Sequence, residues 1–334
     1  MLDILPRNTT SWQKQLSQMI TDPAVLIDTC GLDAELTAKA CEVAKQFPLR
    51  VTQAYISKIK YGDSEDPLLK QILPLDLELQ SDDEAAPSDP LQEAQFNPVP
   101  GLLHKYKNRV LFTLTQNCAI HCRYCFRREF DYDTNTPALN QWQAAFAYIA
   151  ERENINEVIL SGGDPLTLKD NHLGFFIEKI QAIKHVKRVR IHTRVPVVLP
   201  DRIDMAFLDL IKTIKLPLIM VMHVNHPNEI DSRFTAICQQ LRKHNVVLLN
   251  QSVLLKNIND DAQVLIKLQE KLFSASVLPY YLHILDKVKG TKHFFVAETK
   301  AKQLIKQLQA ELPGYLVPRL VREDAFAESK TLIG

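Results

Sequence analysis

The chain has 334 residues, with 40 lysines and arginines against 39 aspartates and glutamates, for a formal net charge of +1. Nothing global in that balance argues for nucleic acid or an anionic membrane as partner. The apolar fraction of 46% suffices for one large α/β domain with additions, or for two domains. No apolar stretch approaches a membrane span, and MLDILPRNTTSWQKQL lacks the basic region and apolar run of a secretory signal, so the chain reads as soluble and cytoplasmic.

Residues 1–57 read as helical. An amphipathic segment opens at 11–16, and 33–46 repeats apolar residues at helical spacing with Asp33 as cap. Residues 61–99 turn acidic and proline-bearing and read as a solvated connecting loop, some of which could lie along the main domain. From about residue 106 a regular beat begins. Strands are predicted over 110–115, 158–161, 189–192, 218–224, 246–249 and 277–284. Helices are predicted over 140–153, 172–183, 203–214, 231–244 and 261–273. That alternation implies parallel strands joined by right-handed crossovers. Six units suit a partial (β/α)6 barrel in an α/β chain; an open doubly wound sheet is the alternative. The expected organisation is an N-terminal helical region and acidic linker over 1–100, the barrel over 101–290, and a C-terminal helix and tail over 291–334.

Three of the six cysteines fall within eight residues, as Cys118, Cys122 and Cys125. Disulfides are a poor explanation in a long chain without a framework of paired cysteines. A structural zinc site needs four ligands in closed tetrahedral geometry, and His121 would complete the set only from a tight position between two of the cysteines. Three thiolates on one short loop suit a cubane iron–sulfur cluster with one open iron. Such an iron can bind a small molecule and pass it an electron. Cys30, Cys41 and Cys238 read as buried small hydrophobes.

In a β/α barrel, functional side chains collect at the C-terminal ends of the strands. The cysteine loop follows the first predicted strand, and Gly162, Gly163, Asp164 and Pro165 follow the second. Arg194 follows the third, and His223, Asn225 and His226 the fourth. Asn250, Gln251 and Ser252 follow the fifth, and residues 283–286 the sixth. Singly, each has a blander reading. Gly-Gly-Asp-Pro is ordinarily a turn, Arg194 a surface cation, and His223 and His226 core-edge histidines rather than metal ligands. Gln251 and Ser252 read as loop residues, and Lys330 as a tail lysine. Together on one rim they read as an enzyme site.

The spacing CxxxCxxC, with Tyr124 before the last cysteine, resembles the radical S-adenosylmethionine (SAM) superfamily. The resemblance implies that the open iron binds the methionine end of SAM and that Tyr124 lies near the adenine. Gly162, Gly163 and Asp164 would then bind the methionine amino group, with Arg194 in the same site. Within the superfamily, residues 100–330 resemble the lysine 2,3-aminomutases. The stretches that carry this are Tyr106 with Arg109 and 110–112, the cysteine loop with Arg127 and Arg128, LSGGDPL, RVPVVLP, HVNHPNEI, NQSVLL and Pro279-Tyr280-Tyr281.

That family uses SAM, a 4Fe-4S cluster, pyridoxal 5′-phosphate (PLP) on a lysine, and an external electron donor. By resemblance Lys330, followed by Thr331, is the PLP lysine, although the family's glycine-rich lead-in is here Ala-Phe-Ala-Glu-Ser. Tyr106 and Arg109 match positions near PLP, Arg109 suiting its phosphate, and Gln251 and Ser252 match positions close to SAM and PLP. Arg127 matches the residue that grips the substrate carboxylate, a role suited to a bidentate guanidinium. Asp286 and Glu323 match the two acidic positions for the ε-ammonium, the second being Asp in better-known members.

The versions HILDKVKG and SKT, and a chain stopping just after Lys330, most resemble the short bacterial aminomutases that supply β-lysine for modifying elongation factor P. The implied reaction converts L-lysine to (R)-β-lysine, with elongation factor P and its lysyl ligase as pathway neighbours. Removing an unactivated hydrogen is beyond acid–base groups, so the cofactors carry the chemistry. Two other readings stand beside this one. One is a radical SAM enzyme acting without PLP on a different amino acid, a peptide or tRNA. The other is a non-catalytic zinc or iron–sulfur protein.

Overall fold

The computed structural model describes residues 11–79, 89, 91–130 and 141–333. Four short helices come first: α1 (Trp12–Ser17), α2 (Pro23–Thr29), α3 (Leu36–Ala44) and α4 (Gln53–Ile56). The sheet opens with β1 (Leu102–Tyr106) and β2 (Arg109–Thr113). A repeating strand–helix unit follows: α5 (Gln143–Ala150), β3 (Glu157–Ser161), α6 (Asp170–Gln181), β4 (Arg188–Thr193), the single turn α7 (Val195–Val198), α8 (Met205–Lys212), β5 (Leu218–His223), α9 (Ser232–Lys243), β6 (Val247–Val253), α10 (Ala262–Ser274) and β7 (Leu278–His283). The chain continues through α11 (Glu298–Glu311), β8 (Arg319–Arg322) and β9 (Thr331–Leu332).

Local chemistry starts these helices where they are needed. Asp204, Asp231 and Asp261 immediately precede α8, α9 and α10, and each carboxylate accepts a hydrogen bond from a first-turn N–H. An N-cap of this kind satisfies a donor that the helix itself leaves orphaned. α8 to α11 bury one apolar stripe each, with Phe207, Phe234, Leu268 and Leu308 among the buried residues.

Among the described residues the sheet has nine strands in strictly sequential order, β1 to β9. β2 to β8 run parallel, whereas β1 and β9 pair antiparallel at the two edges. A doubly wound sheet reverses its strand order at a switch point. Here nothing reverses, so the crossover helices all cover one face and the sheet curls around the other. This is the wall of a partial barrel. The six expected strands are all present. A seventh parallel strand, β8, and both antiparallel edges, β1 and β9, add to them; β8 and β9, four and two residues long, carry too little alternation to read from sequence.

Three local expectations are corrected. α3 begins at Leu36 rather than at 33, because Asp33 Oδ1 accepts from Glu35 N at 2.9 Å and makes a turn rather than a cap. β6 runs on to Val253, so Gln251 and Ser252 lie within the strand instead of following it. Residues 61–79 are not a solvated loop: Leu68, Leu69, Gln71 and Ile72 are completely buried. Their acidic neighbours are structural, since Asp66 accepts from the N–H groups of Lys60, Leu68 and Leu69. The predicted start of the 140–153 helix and the acidic run 80–88 fall outside the described residues.

The main core joins this N-terminal segment to the outer face of β2 to β6, and a second cluster packs α10 and α11 on β7 and β8. Phe112 is fully buried at the centre of the first, 5.2 Å from Trp142 and 5.7 Å from Phe146 between ring centroids. Phe112→Ala is therefore expected to destabilise the fold by about 3–5 kcal/mol, read as a lower urea midpoint in equilibrium unfolding.

Candidate active site

The strand ends open into a cavity of about 550 Å3. Cys118, Cys122 and Cys125 line one part of it, and Lys330, Asp286 and Glu323 another. Every residue expected from the sequence to hold a metal, cofactor or substrate lines this cavity: Tyr106, Arg109, Tyr124, Arg127, Gly162, Gly163, Asp164, Arg194, Gln251 and Ser252 as well as the six just named. Of the other residues placed on the rim, His223 lines it and Pro165, Asn225, His226 and Asn250 do not. Lys330 is thus no loose tail lysine.

The loop between β2 and α5 carries the thiols. It is pressed against the turn after β3: Gly163 N donates to Thr115 O at 2.6 Å, and Asp164 N to Asn117 O at 2.8 Å. The two glycines follow from this approach. Gly162 sits at φ +114°, and a Cβ there would meet Thr115 O at 2.7 Å, while one on Gly163 would meet Asn117 O at 2.5 Å. The Asp164 carboxylate accepts from Thr193 Oγ1, Leu166 N, Arg194 N and Val195 N. Burial pushes its pKa up to about 6, and these donors offset the push only in part.

Arg194 lies beneath the cysteine loop. One nitrogen, Nη1, donates to Cys122 Sγ and Tyr124 Oη, both at 2.7 Å; Nη2 donates to Gln71 Oε1 at 2.6 Å and Glu229 Oε2 at 2.9 Å. Tyr124 Oη also accepts from Asn225 Nδ2 at 2.7 Å and meets His223 Nε2 at 2.9 Å. Burial, then the Arg194 cation, depresses the His223 imidazole to about 3, so that ring is neutral. This fits an ordinary hydrogen-bonding histidine.

The thiols fit a cluster by their own chemistry. Burial first, then the neighbouring Cys122 thiol, raises Cys125 to about 11, and Cys118 is raised by burial and by Cys125. Thiols that oppose one another's ionisation ionise readily only against a bound cation. His121 Nδ1 meets Pro48 O at 2.7 Å and its ring stacks on Phe47. Among the described residues no three His, Cys, Asp or Glu side chains gather as a single metal ion requires.

At the other side, β8 and β9 pair Arg322 with Thr331, so the next residues along the hairpin, Glu323 and Lys330, face each other. Glu323 accepts from Lys330 Nζ, from Tyr106 Oη, and from Lys105 Nζ at 2.6 Å. Adjacent residues of a strand ordinarily point to opposite faces. The irregular register between Leu103 and Tyr106 lets Lys105 and Tyr106 reach the same carboxylate. Burial alone would raise Glu323; the Lys330 charge and these hydrogen bonds overcome it and hold the carboxyl down at about 2. Asp286 behaves oppositely. Burial lifts it to about 7, with Lys330 pulling back and Glu323 and Glu93 adding to the rise.

Arg127 grips an internal carboxylate, its Nε and Nη2 donating to Glu93 at 2.8 and 2.6 Å. Arg109 lies over the Tyr106 ring at 4.1 Å. On the inner wall Arg190 Nε, His192 Nε2 and His283 Nε2 are buried with no hydrogen-bond partner among the described residues. All three belong to cavity-lining side chains. Orphaned polar atoms of this kind fit a polar group arriving from outside the chain.

Several of these residues were not legible beforehand. Gln71 and Glu93 come from the stretch read as linker, and Glu229 lies in a loop where only its neighbouring histidines stood out. Arg190 and His192 could have been found by carrying period-2 alternation along β4 to its end.

The chain matches the model of the radical SAM superfamily over residues 112–268. That interval opens at the end of β2 and holds the cysteine loop, the turn after β3, Arg194 and His223, so fold, site and match define one class of protein. Proteins called L-lysine 2,3-aminomutase resemble it along nearly its whole length. The Haemophilus influenzae protein is 48% identical over 98% of this chain and 96% of its own. The Escherichia coli protein is 44% identical over 99% and 97%, and the Buchnera aphidicola protein 43% identical over 96% and 95%. This chain belongs to the lysine 2,3-aminomutase family of isomerases.

The close approach at the turn after β3 can be checked directly. Gly163→Ala should destabilise the protein by about 1–3 kcal/mol through overpacking, whereas Gly314→Ala, where a Cβ meets nothing within 4 Å, should leave the urea midpoint almost unchanged.

Proposed function

We propose that this protein converts L-lysine to β-lysine, in the (R) form, using SAM, a 4Fe-4S cluster and PLP. The observation that carries the reading is a single cavity lined by the three-cysteine loop and by Lys330 with Asp286 and Glu323, in a chain of this family. When bound, the cluster and SAM supply one-electron chemistry able to take hydrogen from an unactivated carbon, and PLP supplies a π system across which nitrogen can migrate.

The chain's own residues hold, orient and enclose. Cys118, Cys122 and Cys125 would hold the cluster through their thiolates. The turn at Gly162, Gly163 and Asp164, with Tyr124, Arg194, Gln251 and Ser252, forms the SAM side. Lys330 anchors PLP, Tyr106 lies beside it, and Arg109 takes its phosphate. Arg127 binds the substrate carboxylate, and its forked grip on Glu93 is the geometry that ligand would meet. Asp286 and Glu323 receive the ε-ammonium, which fixes the substrate at both ends.

The use we propose for the product is modification of elongation factor P through its lysyl ligase. The HILDKVKG and SKT forms of the motifs support this. Electrons come from an external donor. A cytoplasmic location follows from that role, and no helix among the described residues is long and apolar enough to cross a membrane.

The test is product analysis on anaerobically reconstituted protein given dithionite, SAM, PLP and either L-lysine or L-glutamate. Chiral chromatography should resolve (R)-β-lysine from the first and nothing from the second. Turnover of glutamate alone, or SAM cleavage without β-lysine, would reject the substrate. Lys330→Ala should keep its iron yet lose both the PLP absorption band and β-lysine. A variant that still forms β-lysine would remove PLP from the account.

Asp286 adds a pH dependence. With its carboxyl raised by burial to about 7, it is neutral below that pH and able to pair with an ammonium above it. The KM for lysine should therefore fall as pH rises through about 7. Asp286→Asn should flatten that limb and weaken lysine binding roughly ten- to hundredfold, the worth of a hydrogen bond to a charged group.

A further inference from the structure

Two arginines of the cysteine loop have no part in the proposed chemistry, yet both are buried. Arg123 lies between Cys122 and Cys125, and Arg128 three residues beyond Cys125. Both run to one carboxylate. Arg123 donates through Nε and Nη2 to Glu78 at 2.8 and 2.7 Å, and Arg128 Nη2 reaches the same group at 3.0 Å. The three side chains are 0%, 5% and 1% exposed in the order Arg123, Arg128, Glu78.

Glu78 belongs to the segment 61–79, which precedes the barrel wall, and the same N-terminal region takes hold of the loop elsewhere. Arg123 N donates to Gln71 O and His121 N to Arg50 O, both at 2.9 Å. Arg123 Nη1 donates to Phe47 O at 2.7 Å. The Phe47 ring lies under both guanidiniums, 4.8 Å from that of Arg123 and 4.7 Å from that of Arg128. Arg128 Nη1 also donates to Arg123 O at 3.2 Å, closing the loop on itself.

Two buried cations this close could not persist without a shared counter-charge. Glu78 halves their charge and fixes where both side chains lie. Charge and hydrogen bonding around a cluster set its potential, and groups that orient the ligands set how firmly it is held.

We propose that Glu78 is a positioning residue for the iron–sulfur cluster: through Arg123 and Arg128 it holds the loop that bears Cys122 and Cys125, and it sets the net charge behind that loop. This rests on the cluster reading above.

The test uses full-length protein reconstituted anaerobically. Loss of iron to a ferrous chelator and the cluster midpoint potential, from a redox titration followed by electron paramagnetic resonance, are both measured. Glu78→Gln leaves both arginines uncompensated. It should release iron roughly 10–100-fold faster and shift the midpoint to more positive potential, because added positive charge favours the reduced cluster. The double variant Glu78→Gln with Arg128→Gln restores the local charge without the ion pairs, so its midpoint should return toward that of the wild type while iron loss stays fast. That split is one a merely structural role would not produce. Should Glu78→Gln yield no folded protein, Glu78→Asp decides: it keeps the charge and shortens the reach, so iron loss rises while the midpoint holds. Wild-type iron retention and midpoint in Glu78→Gln would overturn the proposal. A wild-type protein that takes up no iron would overturn the cluster reading itself and this inference with it.

Discussion

A guanidinium removed from water needs acceptors, and the site is built around one whose two terminal nitrogens find them. Arg194 is buried and meets a thiol, a phenol, an amide oxygen and a carboxylate with its two terminal nitrogens. Its partners come from separate parts of the chain: Gln71 from the N-terminal segment, Cys122 and Tyr124 from the loop after β2, Glu229 from the loop after β5. Burying the Glu229 carboxylate alone would be costly. It is held ionised because Arg194, with the N–H groups of Asn225 and His226, answers it. Arg194 thus ties the loop bearing the thiols to the N-terminal segment and to the loop after β5 through one shared hydrogen-bond network.

The part of the cavity lined by Lys330 uses a looser device. Glu323 is shared by Lys105, Tyr106 and Lys330, so the lysine proposed to anchor PLP is held by a charge partner that can exchange it for other cations. The replacement of the family's glycines by residues 325–329 does not keep Lys330 from the cavity. What directs it there is the antiparallel pairing of β8 with β9, and backbone register of that kind is indifferent to the side chains in the intervening turn.

How much of this was legible in the sequence depended on how local the signal was. The strand–helix beat is a periodic feature, and its order is kept in the structure, with all six expected strands present. The rim residues were legible because a parallel barrel wall brings all its strand ends to one side. The role of 61–79 was not, because its acidity looks like solvation until Asp66 is seen accepting backbone N–H groups and Glu78 is seen between Arg123 and Arg128. Nor could the engagement of Arg127 by Glu93 be anticipated, since it joins residues 34 apart across a fold. Long-range charge pairing leaves no periodicity to read.

The proposed function has the cysteine loop and Lys330 serve one reaction in one cavity. An anaerobic crystal structure of the reconstituted protein with SAM and PLP tests this most directly. The expected result is a four-iron cluster on Cys118, Cys122 and Cys125 and PLP covalently joined to Lys330, both within the same enclosed space. A single zinc on the cysteines, or PLP on another lysine outside this cavity, would contradict it.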